Sequence, residues 1–130
     1  QFRLKTRSWS HVAGVYDGTS VRLFINGKEV GRSSASGNRL TNMLPLVVGG
    51  DVAEDGSMMS PFEGRLEEVR LSKVARYTQD FAPADRHASD DDTLLLLPCD
   101  VAVGAFLPDR SGQKAHAAVT GSVKLAPSDR

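Results

Sequence analysis

The sequence predicts an all-β chain, an antiparallel β-sandwich. Two turn dipeptides, Asp17-Gly18 and Asn26-Gly27, flank a run in which Val21, Leu23 and Ile25 alternate with Arg22, Phe24 and Asn26. A period of two marks a half-buried strand, and Asp-Gly and Asn-Gly tolerate the positive φ that tight hairpin turns require. Further along, short apolar stretches at 46–50 and 93–97 have strand length and are separated by loops of Gly, Ser, Pro and acidic residues.

Residues 9–31 read as a three-stranded meander. Its first strand puts Trp9, His11, Ala13 and Val15 on one face, Val12 and Tyr16 on the other. Both faces are partly apolar, as in a sheet inside a sandwich. Residues 33–42, rich in Ser, Gly and Asn, read as a strand end and loop. Residues 46–50 read as a short buried strand, with Gly49-Gly50 suited to a bulge or a close backbone approach. An exposed loop follows over 52–60. Pro61 then stands at a strand entry, where its missing N–H does least harm, and the strand runs over 62–72.

Residues 73–77 suggest one helical turn. Residues 81–92, with Pro83 and the acidic run Asp90-Asp91-Asp92, read as a surface connection. In the last third, 93–97 is a strand. Asp109-Arg110-Ser111-Gly112 is a turn with Asp first and Gly last. Residues 115–119 and 122–125 are short strands hinged at Gly121. The expected core is Trp9, Val15, Leu23, Ile25, Val47 and Leu66. Tyr16, Phe24 and Tyr77 are the aromatics expected at the surface.

A chain of 130 residues supports one domain with a real core. Lysine plus arginine balance aspartate plus glutamate, 16 against 16, so no bulk field favours nucleic acid or an anionic membrane. No apolar run reaches membrane length. The single Cys99 excludes an internal disulfide framework and a multi-cysteine zinc site; after an apolar strand it reads as a buried structural thiol. The chain opens on Gln1 and Phe2-Arg3-Leu4-Lys5, which already look like strand. It is expected to be an excerpt of a longer protein, starting partway through a domain.

Three stretches carry a family resemblance. Trp9-Ser10-His11-Val12-Ala13, followed by an Asp-Gly turn and a strand ending in Asn26-Gly27-Lys28, is the first. Leu46-Val47-Val48-Gly49-Gly50-Asp51 is the second, and Phe62-Glu63-Gly64-Arg65-Leu66-Glu67-Glu68-Val69-Arg70-Leu71-Ser72 the third. In that order and spacing, over roughly residues 9–77, the chain resembles the laminin-G-like branch of the concanavalin A-like lectin/glucanase superfamily. The resemblance implies a jelly-roll sandwich and a location that is extracellular, at the cell surface or periplasmic. Residues 93–125 then have two readings: late strands completing the same sandwich, since the first and last strands of this fold lie side by side, or the start of a second repeat. The first is preferred, because three strands alone have too little core. Pro98-Cys99-Asp100 and Ala115-His116-Ala117 depart from the pattern that opens such a repeat.

Glycosidases of the superfamily carry two carboxylates at alternate positions of one strand, and retaining hydrolysis needs them about 5 Å apart. On a strand over 62–72, Glu67 and Glu68 would face opposite ways, and Glu63 and Glu67 would stand about 13 Å apart. Catalysis is not expected; one Glu should be solvated and one paired with Arg65 or Arg70. His11 reads as structural, and His87 and His116 form no local metal motif. Relatives such as pentraxins hold Ca²⁺ at a sandwich rim with oxygen ligands, as that ion prefers. The resemblance places such a half-site after the 46–50 strand, at Asp51 and, because Ala53 replaces an expected acid, Asp55 or Glu54. A solvated acidic loop is the plainer reading.

Two functional classes follow. One is a non-catalytic module of a larger protein that binds carbohydrate or an extracellular protein. The other is a structural adhesion or spacer module with no ligand of its own. A fragment of a glycoside hydrolase comes a distant third.

Overall fold

The computed structural model describes residues 3–130. Nine strands form four antiparallel sheets, and the described residues contain no helix, so the all-β antiparallel class holds. Phe2, expected to begin a strand, lies outside the described residues; residues 3–11 are irregular.

Strands β1 (Val12–Tyr16), β2 (Ser20–Ile25) and β3 (Lys28–Ser34) make the meander. Its second turn forms as read: Asn26 and Gly27 take φ of 50° and 77°, the type I′ pattern. Gly27 is also a point of close approach. A Cβ there would sit 1.8 Å from the Phe81 carbonyl oxygen. The first turn is centred one residue later than read, on Gly18 and Thr19: Tyr16 pairs with Val21, and the Asp17 N–H donates to the Ser20 carbonyl at 3.2 Å. Asp17 explains this. Its carboxylate accepts the N–H groups of Thr19 and Ser20 at 2.9 and 2.8 Å, closing an Asx-type turn, and pairs with Arg22 at 2.9 Å. These hydrogen bonds, the Thr19 N–H foremost, hold the Asp17 carboxyl far below the usual range.

Register decides which face becomes core. Ala13 pairs with Phe24 and Val15 with Arg22, so Ala13, Val15 and Phe24 share a face, opposite Val12, Val21 and Leu23. Phe24 is 0 % exposed, while Leu23 is 42 % exposed. Of the six residues expected in the core, Val15 is buried, Ile25 and Val47 are half-buried, and Trp9, Leu23 and Leu66 are exposed. Two apolar faces compete on one strand, and the one that meets Tyr77 and Phe81 wins. Those two rings stack at 3.6 Å, and Phe24 lies edge-on to them at 6.3 and 5.5 Å. Phe24 is therefore core, and Tyr77 is half-buried rather than presented. Tyr16 is half-buried too, its hydroxyl donating to the Gly37 carbonyl.

The expected strand at 46–50 does not form. Gly49 turns to φ 86°, and its carbonyl accepts the Phe62 N–H at 2.9 Å. Pairing begins one residue later, with β4 (Asp51–Val52) against β5 (Met58–Met59). Only the end of the expected 62–72 strand is regular, as β6 (Val69–Ser72), because Glu68 takes φ 56°. Residues 73–77 make no helical turn; the Lys73 N–H reaches the Asp92 carbonyl instead.

β6 pairs with β7 (Thr93–Leu97), which buries Thr93, Leu95, Leu96 and Leu97. The buried Asp109 fastens the following bend to β7. Its carboxylate accepts the N–H groups of Leu96, Ser111 and Ala115 at 2.9, 2.8 and 3.0 Å, and the Ser111 hydroxyl at 2.7 Å. Burial, the largest single influence, pushes its pKa up; the four hydrogen bonds outweigh it and hold it at about 2. β8 (Phe106–Leu107) pairs with β9 (Ala117–Ala118), and the strand expected over 122–125 is absent. That stretch is exposed and has no pairing partner among the described residues.

Candidate functional site

Asp51 opens β4, and Asp55 sits in the turn between β4 and β5; both are exposed. Asp51 Oδ1 accepts the Val52 N–H at 2.8 Å. Asp55 Oδ1 accepts the Ser57 hydroxyl at 2.6 Å and the Ser57 N–H at 2.9 Å, and these bonds, the hydroxyl first, lower its pKa. The donors are oxygens of the kind Ca²⁺ takes. Among the described residues no group of three His, Cys, Asp or Glu side chains converges.

The structure brings together two acids that strand geometry would separate. Positive φ at Glu68 breaks the alternation just before β6. Arg86 Nη1 lies 3.1 Å from Glu67 and 3.6 Å from Glu68; Arg130 Nη2 lies 3.5 and 3.7 Å from them. The two Glu side chains are only 10 % and 7 % exposed. Glu67 also accepts the Ser128 hydroxyl, and Glu68 the His87 N–H at 3.2 Å. Neither expected pairing occurs. Arg70 donates to the Tyr77 hydroxyl at 2.8 Å, and Arg65 pairs with Asp129. Two acids and two arginines form a knot in which both carboxylates are engaged.

The histidines sit at structural junctions. His11 and His87 lie edge-on at 5.7 Å, and burial, then Arg70, lowers the pKa of both. His116 Nδ1 accepts the Asp109 N–H at 3.0 Å. Cys99 is half-buried, and burial pushes its thiol up, away from the activated range of a nucleophile.

Trp9, like Leu23, Leu66 and Phe24, lies where the sequence did not place it. The residue is 36 % exposed and borders a concavity of about 360 Å³ with Arg3, Leu4, Lys5, Ser8 and Asn26. The indole N–H donates to Asp129 at 3.0 Å. A signal was present: Arg3, Lys5 and Ser8 crowd polar groups just before the chain's single tryptophan. An apolar ring face among cations and hydroxyls is an arrangement that suits a polar ligand with one apolar face.

Residues 1–81 match a laminin-G-type family model, described as the concanavalin A-like lectin/glucanases superfamily. The chain belongs to this superfamily. The matched span takes in the meander, the β4–β5 hairpin and β6, and it ends at Phe81, which packs on Phe24. No curated protein and no solved structure matches the chain. Laminin-G-like domains of the superfamily are often non-catalytic binding modules, and the superfamily also includes glycosidases. No helix among the described residues is long and apolar enough to cross a membrane.

Proposed function

We propose that this chain is a non-catalytic, extracellular recognition module of a larger protein, binding a carbohydrate or protein ligand. The observation that carries the reading is the half-exposed Trp9 beside a polar concavity. Indole faces stack on the apolar faces of sugar rings, and the flanking Arg3, Lys5, Ser8 and Asn26 supply hydrogen-bonding groups for hydroxyls. The Glu67–Glu68 knot supports the non-catalytic part, because its carboxylates are held by two arginines rather than opened to a substrate. Residues 93–125 are read as late strands of the same domain, a reading supported by the pairing of β7 with β6.

A weak calcium site at Asp51 and Asp55 belongs to the same proposal, with both carboxylates exposed on one hairpin. The adhesion or spacer reading has one observation in its favour. Val12, Val21 and Leu23 leave an apolar sheet face open, and such faces mark protein contacts.

Because Trp9 is the single tryptophan, its fluorescence reports directly on its surroundings. A glycan panel titrated against the protein should shift this emission for the bound sugar, and Trp9→Ala should abolish binding measured by calorimetry. Calorimetry with Ca²⁺ near the roughly millimolar affinity of weak extracellular sites should give heat that Asp51→Ala removes. Glycan binding that survives Trp9→Ala would move the site elsewhere. A silent panel would favour the adhesion reading.

A further inference from the structure

A compact group of rings joins the meander to the segment that leads from β6 to β7. The meander side contributes Phe24 of β2 and His11, which directly precedes β1. The other side contributes Tyr77, Phe81 and His87. Tyr77 and Phe81 stack, and His11 meets Phe81, His87 and Tyr77 edge-on at 5.6, 5.7 and 6.4 Å.

Both histidines are held in place. The His11 backbone N–H donates to Asn26 Oδ1 at 2.8 Å, and its carbonyl accepts the Asn26 backbone N–H at 2.8 Å. The His87 backbone N–H donates to Glu68. His11 Nδ1 is buried with no hydrogen-bond partner among the described residues. Positive charge prevails around the pair. Arg70 of β6, tied to the Tyr77 hydroxyl, acts on both rings, and Arg130 acts on His87. The one acid acting on His87 is Glu68, which Arg86 and Arg130 already oppose.

We propose that His11 and His87 make this joint an acid-labile clasp, closed when both rings are neutral and loosened when either takes a proton. Neutral imidazoles pack edge-on against Phe81 and Tyr77 as apolar rings. A proton places charge on a partly buried ring, beside a second imidazole and Arg70, with no unmatched acid to receive it. Trp9 lies two residues before His11, so loosening the clasp frees the segment that carries the indole. The proposal stands whether or not that indole binds a ligand.

The sign follows from linkage. A histidine whose folded pKa is lowered favours the folded state fully above its ordinary value of about 6.5, and that contribution is lost as pH falls through the lowered value. Carboxylates held low, such as Asp17, Asp90 and Asp109, lose their contributions only at more acid pH, below their ordinary value of about 4.

Thermal melts between pH 5 and 7.5 on the wild type, His11→Phe and His87→Phe test the clasp. Phenylalanine keeps the ring and removes the proton site, and His116, present in every variant, cancels from the comparison. The wild-type melting temperature should fall by more than about 4 °C across this range, and each substitution should remove a third or more of that fall. A flat wild-type profile, or the same slope in both variants, overturns the proposal. Should the variants not fold, NMR titration of the wild-type imidazole protons decides: midpoints below 6.5 for both rings support the clasp, and ordinary midpoints overturn it.

Discussion

Replacing Phe24 by Ala tests the assignment of the core face. The ring is 0 % exposed and has Phe81 and Tyr77 edge-on at 5.5 and 6.3 Å. Removing a buried phenylalanine costs about 3–5 kcal/mol, and aromatic pairs add roughly 0.5–1.5 kcal/mol beyond area burial. A loss of about 4 kcal/mol or more follows. Unfolding entropy near 2.1 cal/mol/K per residue gives roughly 0.27 kcal/mol/K over 130 residues, so the melting temperature should drop by roughly 15 °C. Leu23, the neighbouring position, is 42 % exposed, and Leu23→Ala should cost about 1–2 kcal/mol. Urea melts followed by far-ultraviolet circular dichroism measure both. If Leu23→Ala proves the more damaging of the two, the opposite face of the meander is the core and the aromatic joint has been read backwards.

Gly27→Ala should be among the most damaging single changes, because its Cβ would sit 1.8 Å from the Phe81 carbonyl oxygen at φ 77°; Gly18→Ala, at φ 93° with open space around it, should cost only about 1 kcal/mol in the same melts. Asp109→Asn turns one acceptor into a donor facing the Ala115 N–H or its neighbours, and should cost about 1–3 kcal/mol at pH 7. Asp109 contributes stability above its ordinary pKa, near 4, that is lost as pH falls toward 2, so the variant's acid limb should be flatter. Incubation with a glucan panel should release no reducing sugar; turnover that vanishes in Glu67→Gln would return the module to the hydrolases.

The readable parts of this chain were those governed by local chemistry. Asn26-Gly27 carries its own φ demand, so the type I′ turn was visible in two residues. The 93–97 strand, four leucines after a threonine, was visible as an apolar run. Asp17-Gly18 was visible as a turn, but its centre falls on Gly18-Thr19, because the Asp17 carboxylate takes the Thr19 and Ser20 N–H groups. The core face of β2 was hidden because Leu23 and Phe24 are both apolar, and Tyr77 and Phe81, which choose between them, stand far along the chain. The same holds for the acids. Nothing in Glu67-Glu68 announces a positive φ at the second, and only that twist lets Arg86 and Arg130 reach both.

These observations divide the module's work between its parts. The 67–87 stretch is committed to holding the fold: Glu67 and Glu68 close the arginine knot, while Tyr77, Phe81 and His87 close the aromatic joint on Phe24 and His11. Glu67, Glu68, Arg70 and Arg76 all face partners within the chain. Exposed chemistry is left at the edges, with Trp9 at one and the Asp51–Asp55 hairpin at another. Recognition at an edge, over an interior that loosens in acid, would couple ligand retention to pH through His11, two residues from the indole. If Trp9→Ala ends binding, wild-type affinity should therefore weaken between pH 7 and 5, and it should weaken less in His87→Phe.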